Sequence, residues 1–106
     1  MSRMSIPQLI KAFNGIPRRE EVANALASTR AYQNHGHIEY DVAQAGAAMI
    51  AYYRRMENSA MVRHNRRKKK ESMFSLEIAN RFGERAKAIE ARLKELMEDE
   101  GHQTGV

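Results

Sequence analysis

Apolar side chains recur at spacings of three and four along two long stretches of this chain, and that rhythm leaves little besides a helical fold open to it. Val42, Ala45, Met49, Tyr52 and Met56 form one seam, and Ile78, Phe82, Ala86, Ile89, Leu93 and Leu96 form the other. Side chains spaced this way share one face of a helix, whereas a strand needs alternation. Alternation is confined to residues 37–41, too short and too isolated to build a sheet. The expected fold is all-α, a small bundle of about four helices. Two long C-terminal helices would form an antiparallel hairpin backed by two short N-terminal ones.

Local signals mark where these helices start and stop. Ser5 with Gln8 three residues later fits a capping box, and Pro7 is tolerated because first-turn N–H groups have no helical acceptor. Leu9, Ile10 and Phe13 give that helix its apolar face, and Gly15 suits a left-handed stop. Pro17 permits a second start, with Glu20 and Glu21 near the positive end of the helix dipole and Val22, Ala23, Leu26 and Ala27 as the buried stripe. This packing helix is expected over 18–34, with the break at Asn34, His35 and Gly36. Asp41, three residues before Gln44, is the next N-cap. The last helix is expected from Ser72 to about Glu100, with Glu77–Arg81 and Glu90–Lys94 as i,i+4 pairs. Gly83 weakens its interior by roughly 1 kcal/mol relative to Ala, and Gly101 ends it. The whole chain, 1–106, reads as one helical domain with residues 1–4 and 101–106 frayed.

The core available to such a domain is thin. There is no Trp, there are three Phe, and many of the apolar residues are Ala. Part of the helical apolar surface is therefore left for a second copy or another protein, and Val42, Ala45, Met49, Tyr52 and Met56 are the candidate seam for a homodimer. The absence of cysteine excludes disulfides and thiolate metal sites, and fits a cytoplasmic or other reducing intracellular compartment. The longest mostly apolar run, residues 42–53, falls short of the roughly 20 residues a membrane span needs. The first residues lack the apolar core and cleavage site of a secretory signal.

Charge supplies the functional lead. Residues 54–70 hold eight of the eighteen Lys and Arg and only one acid, Glu57, so this stretch carries +7 while the rest of the chain sums to −2. Such a block repels itself, and a polyanion is the partner that relieves the repulsion. Continuing the first seam gives Ser59, Arg63, Arg66 and Lys70, so a face that begins apolar becomes basic. An unbroken helix would offer that face as a rod. Asn58 and Ser59 equally suit a helix end, with residues 59–72 then a basic connector, helical or disordered. The block suits phosphates of DNA or RNA, a nuclear-import address or an anionic membrane. The membrane reading needs apolar and basic residues on opposite faces, whereas here they follow one another.

The expected phosphate contacts are Arg54, Arg55, Arg63, Arg66, Arg67, Lys68, Lys69 and Lys70, with weak sequence specificity. Tyr53, off the seam, is the aromatic freer to stack on a base, and Tyr52 is expected to be buried. The leading function is a small non-enzymatic accessory protein that binds nucleic acid. The alternative is a helical interaction protein (an assembly component, adaptor or inhibitor, of phage or mobile-element style) that uses the basic block or the 42–56 seam against a protein, the block fitting an acidic surface. Other readings fit less well. A basic leucine zipper is matched in order alone, because the 78–96 seam is barely three heptads and lacks a strict Leu repeat. A helix-turn-helix at 18–38 would bury Gln33 and Gly36. His35 and His37 with Glu39 and Asp41 suit a polar loop better than a metal site. No nucleophile elbow, P-loop or HExxH motif is present, and no small-molecule substrate, cofactor or metal is expected.

Overall fold

A hairpin of two long helices dominates the computed structural model. It describes residues 3–27, 29, 39–66 and 69–104, with side chains placed in 3–27, 29, 39–63 and 75–98. The elements in chain order are β1 (Arg3–Met4), α1 (Ile6–Ala12), α2 (Arg19–Ala27), β2 (Tyr40–Asp41), α3 (Val42–Arg66) and α4 (Lys69–Thr104). The 36 residues of α4, at about 1.5 Å each, span about 54 Å and account for the 56 Å long axis of the molecule. None of the described helices is long and apolar enough to cross a membrane.

The helix ends follow the capping chemistry of the sequence. The Ser5 amide donates to Gln8 Oε1 at 2.9 Å, with Ile6 and Pro7 opening α1 behind it. Beyond α1, Asn14 and Gly15 both take positive φ, and the Gly15 amide reaches back to the Ile10 carbonyl at 2.8 Å. That reach-back occupies one of the carbonyls a helix end leaves without a partner. At α3, Asp41 Oδ2 accepts the Gln44 amide at 3.0 Å, the expected N-cap bond.

The hairpin is antiparallel. Leu93 of α4 lies against Gly46 near the start of α3, and Gly83 lies against Glu57 further along. Both glycines stand where the other helix comes close. A Cβ at Gly46 would stand 2.8 and 2.9 Å from the Leu93 methyls, and one at Gly83 would collide with the Glu57 carboxylate. The Gly46 approach is to packed methyls, whereas what Gly83 faces is the flexible end of the Glu57 side chain. The N-terminal segments pack on one half of the hairpin, where Leu9, Phe13, Val22 and Leu26 meet Val42, Met49, Tyr53 and Ile89 in one core. Among the described residues, those fully buried towards the hairpin tip are small, Ala60, Ser75 and Ala79, with Met56, Met61 and Ile78 half-buried beside them. Among the described residues the distal half is thus an arm of two helices beyond the core cluster.

Several expectations are corrected. Burial in α3 runs Val42, Ala45, Met49, Tyr53 and Ala60, while Tyr52 and Met56 of the expected seam are half-buried at its edge. A straight helix of 3.6 residues per turn drifts about 20° per heptad from a 3.5-residue seam, enough to move the buried position from 52 to 53. Arg3–Met4 and Tyr40–Asp41 pair as a two-residue antiparallel ladder, Arg3 opposite Asp41 and Met4 opposite Tyr40, where fraying and no sheet were expected. Helix α4 starts at Lys69 instead of Ser72, because Lys and Glu are good helix formers, and it continues through Gly101 to Thr104. Helix α2 is described over Arg19–Ala27 with a bend at Thr29, and the remainder of the expected 18–34 span lies outside the described residues. The break at 34–36 and both His35 and His37 lie outside the described residues. Among the described residues neither Glu77–Arg81 nor Glu90–Lys94 forms an ion pair, and Arg92 pairs with Glu95 at 3.0 Å instead.

Candidate nucleic-acid interface

The denser part of the basic block, residues 63–70, falls at the tip of the hairpin, while Arg54 and Arg55 stand at the middle of α3. Helix α3 runs without interruption through Asn58 and Ser59 to Arg66, so the rod reading holds this far and the helix does not end at 58–59. Arg67 and Lys68 lie between the helices, outside the described residues, and Lys69 and Lys70 open α4. Arg63 and Arg66 thus stand in the last turn of α3, where a cation is favourable against the negative end of the helix dipole. Lys69 and Lys70 stand in the first turn of α4, at its positive end, where each is unfavourable by a few tenths of a kcal/mol. An anion at the tip would relieve that second arrangement.

The cations differ in how free they are. Arg54 Nη1 donates to Glu57 Oε1 at 2.9 Å, so the one acid of the block is spent on its first arginine. Arg55 and Arg63 are exposed and join no ion pair among the described residues. Arg55 lies seven residues before Val62 and eleven before Arg66, which puts the three positions on one stripe of α3.

Tyr53 does not stand free for a base, contrary to expectation. Its ring is fully buried, 5.5 Å from Tyr52 edge-on and 6.3 Å from Phe82. Its hydroxyl donates to Glu21 Oε1 at 3.0 Å. Burial, then the facing Glu21 carboxylate, hold the phenol well above its ordinary value near 10. Tyr52 is the more exposed of the pair, the reverse of the expected order.

Glu21 is the residue that sequence reasoning undervalued. Besides Tyr53 of α3 it accepts the Arg18 amide at 3.0 Å, capping its own helix, and Arg85 Nη1 of α4 at 2.6 Å. Arg85 in turn lies over the Phe82 ring, 5.9 Å from its centre. One carboxylate thereby ties three helices at the level where the core gives way to the arm. Three donors occupy its oxygens, which suits a structural knot and leaves it poorly placed as a catalytic base. Among the described residues no three His, Asp or Glu side chains converge as metal ligands would. No family model, curated protein or solved structure matches the chain.

Proposed function

We propose that this protein is a non-enzymatic accessory protein that binds nucleic acid through phosphate contacts from the basic tip of its hairpin. One observation carries the reading: six of the block's eight cations, with no acid among them, fall in residues 63–70 where α3 ends and α4 begins, and Arg63 there and Arg55 further back along α3 are exposed and join no ion pair among the described residues. Lys69 and Lys70 at the positive end of α4 add to the preference for an anion. The shape supports phosphate contact over base readout. Two packed helices, with axes about 8–10 Å apart and each about 10 Å thick, are together wider than the roughly 12 Å major groove. The tip meets the backbone as a pair, so sequence specificity is weak. Arg54 contributes less than Arg55 or Arg63 because Glu57 already holds it.

The test is the salt dependence of binding. For duplex DNA, log K falls linearly with log[salt], and a combined Arg66, Arg67, Lys68 to Ala change flattens the slope by about 2–3 units. A slope left unchanged by those three substitutions, or an absence of binding to both DNA and RNA at low salt, overturns the reading.

A further inference from the structure

The two ends of this rod carry opposite charge. Arg63, Arg66, Lys69 and Lys70 mark the basic end, while Glu95, Glu98, Asp99 and Glu100 follow within six residues on the far end of α4 with no base among them. Among the described residues two large apolar side chains are exposed, one at each end: Val62 at 42% and Met97 at 44%. Val62 lies on the stripe of α3 that carries Arg55 and Arg66, two residues and so about half a turn from the buried Ala60. Met97 lies one turn beyond Leu93, which packs on Gly46. Since α3 begins at Val42, the end of α4 beyond this point runs past it. Beside Met97 is an open hollow of about 410 Å³ lined by Glu90, Leu93, Lys94, Met97 and Glu98. An apolar floor under a mainly acidic rim is the complement of an apolar side chain set between arginines.

We infer that two copies of this chain pair side by side and antiparallel, the Val62 stripe of each seated on the acidic end of the other's α4. Both halves of the complementary pair belong to one chain and stand at opposite ends of a 56 Å rod. A single two-fold rotation therefore makes the contact twice and closes the assembly, whereas a parallel pair would set like charge against like. This goes beyond the nucleic-acid reading and does not depend on it.

The experiment is the mass of the full chain, freed of nucleic acid, by light scattering at about 100 μM. Raising salt from about 50 to about 500 mM shortens the screening length about threefold, so a mass of two chains is expected at the low end and one at the high end. Two charge reversals sharpen it. One variant carries Glu98→Lys, Asp99→Lys and Glu100→Lys, which suit a helix C-terminus; the other carries Arg55→Glu, Arg63→Glu and Arg66→Glu. Each alone is expected to be helical by circular dichroism and single. Mixed one to one, both contacts regain opposite charges and the mass of two returns, which also shows that each variant folds. A wild type that is single at low salt, a mass that keeps growing with concentration, or a mixture that stays single overturns the pairing. Nucleic-acid affinity, measured on the acidic-end variant with its basic block intact, separates the two readings: binding retained there while pairing is lost leaves the phosphate contacts standing.

Discussion

Replacing Glu21 with Ala removes a side chain whose hydrogen bonds join α2, α3 and α4, and the structure allows its cost to be built up bond by bond. The Arg18 amide is exposed, so water takes the place of the lost acceptor at a cost of a few tenths of a kcal/mol. The Tyr53 hydroxyl sits on a fully buried residue and loses its charged acceptor, roughly 1–2 kcal/mol. Arg85 keeps 26% of its side chain in solvent and can turn outward, which discounts its loss to about 1 kcal/mol or less. The three together come to about 2–3 kcal/mol. For a domain of this size that lowers the melting temperature by roughly 10 °C, followed by far-ultraviolet circular dichroism. Glu20→Ala is the control, an exposed neighbour with only its dipole contribution to lose, expected within about 0.5 kcal/mol of wild type. Equal melting of the Glu21 and Glu20 variants would refute the knot.

Further outcomes follow from the same contacts. Tyr53→Phe should cost about 1 kcal/mol at neutral pH and should alter the alkaline limb of stability. Tyr53 in the fold ionises above its ordinary value near 10, so wild-type stability is fully present below pH 10 and falls as pH rises beyond it, by up to about 1.4 kcal/mol per unit. Chemical denaturation across that range should show the extra fall in wild type and not in the variant; parallel curves would place the phenol in solvent. Gly46→Ala and Gly83→Ala should differ in sign. The first drives a Cβ into Leu93 and destabilises by about 1 kcal/mol net of the propensity gain. The second displaces only the flexible end of Glu57, so it stabilises by up to about 1 kcal/mol while freeing Arg54. Equal effects in urea melts would show that the two close approaches are alike.

What could be read from the sequence was local. The Ser5–Gln8 and Asp41–Gln44 caps, the Gly15 stop and the two long helices rest on interactions within a few residues, which spacing and residue type reveal. The basic tip was legible for the same reason, because charge is additive along the chain. The Tyr52 and Tyr53 roles were exchanged because a heptad template and a 3.6-residue helix part company after two turns. The Glu21–Arg85 contact joins residues 64 positions apart, and no pattern near either one announces it. Gly83 reads as a weakness of its own helix, and the Glu57 carboxylate it faces on another helix lies outside any local pattern. The two-residue ladder was below the length at which alternation carries a signal.

The seam between α3 and α4 changes character at Tyr53. On the core side it is filled by Met49, Ile89 and the side chains of α1 and α2; on the tip side the fully buried positions among the described residues are Ala60, Ser75, Ala79 and Gly83, with Met56, Met61 and Ile78 half-buried beside them. Small and half-buried side chains release less apolar surface when they part than the packed core does, so opening the arm from its tip demands less than unfolding the domain. The Glu21 knot sits where such an opening would reach the core and gives it a place to stop. The hairpin therefore behaves as a zipper with a fastened base. Amide exchange along 57–66 and 75–83 should run on its own clock, faster than along 42–53, and slow when an anion bridges the two strands of the zipper at the tip.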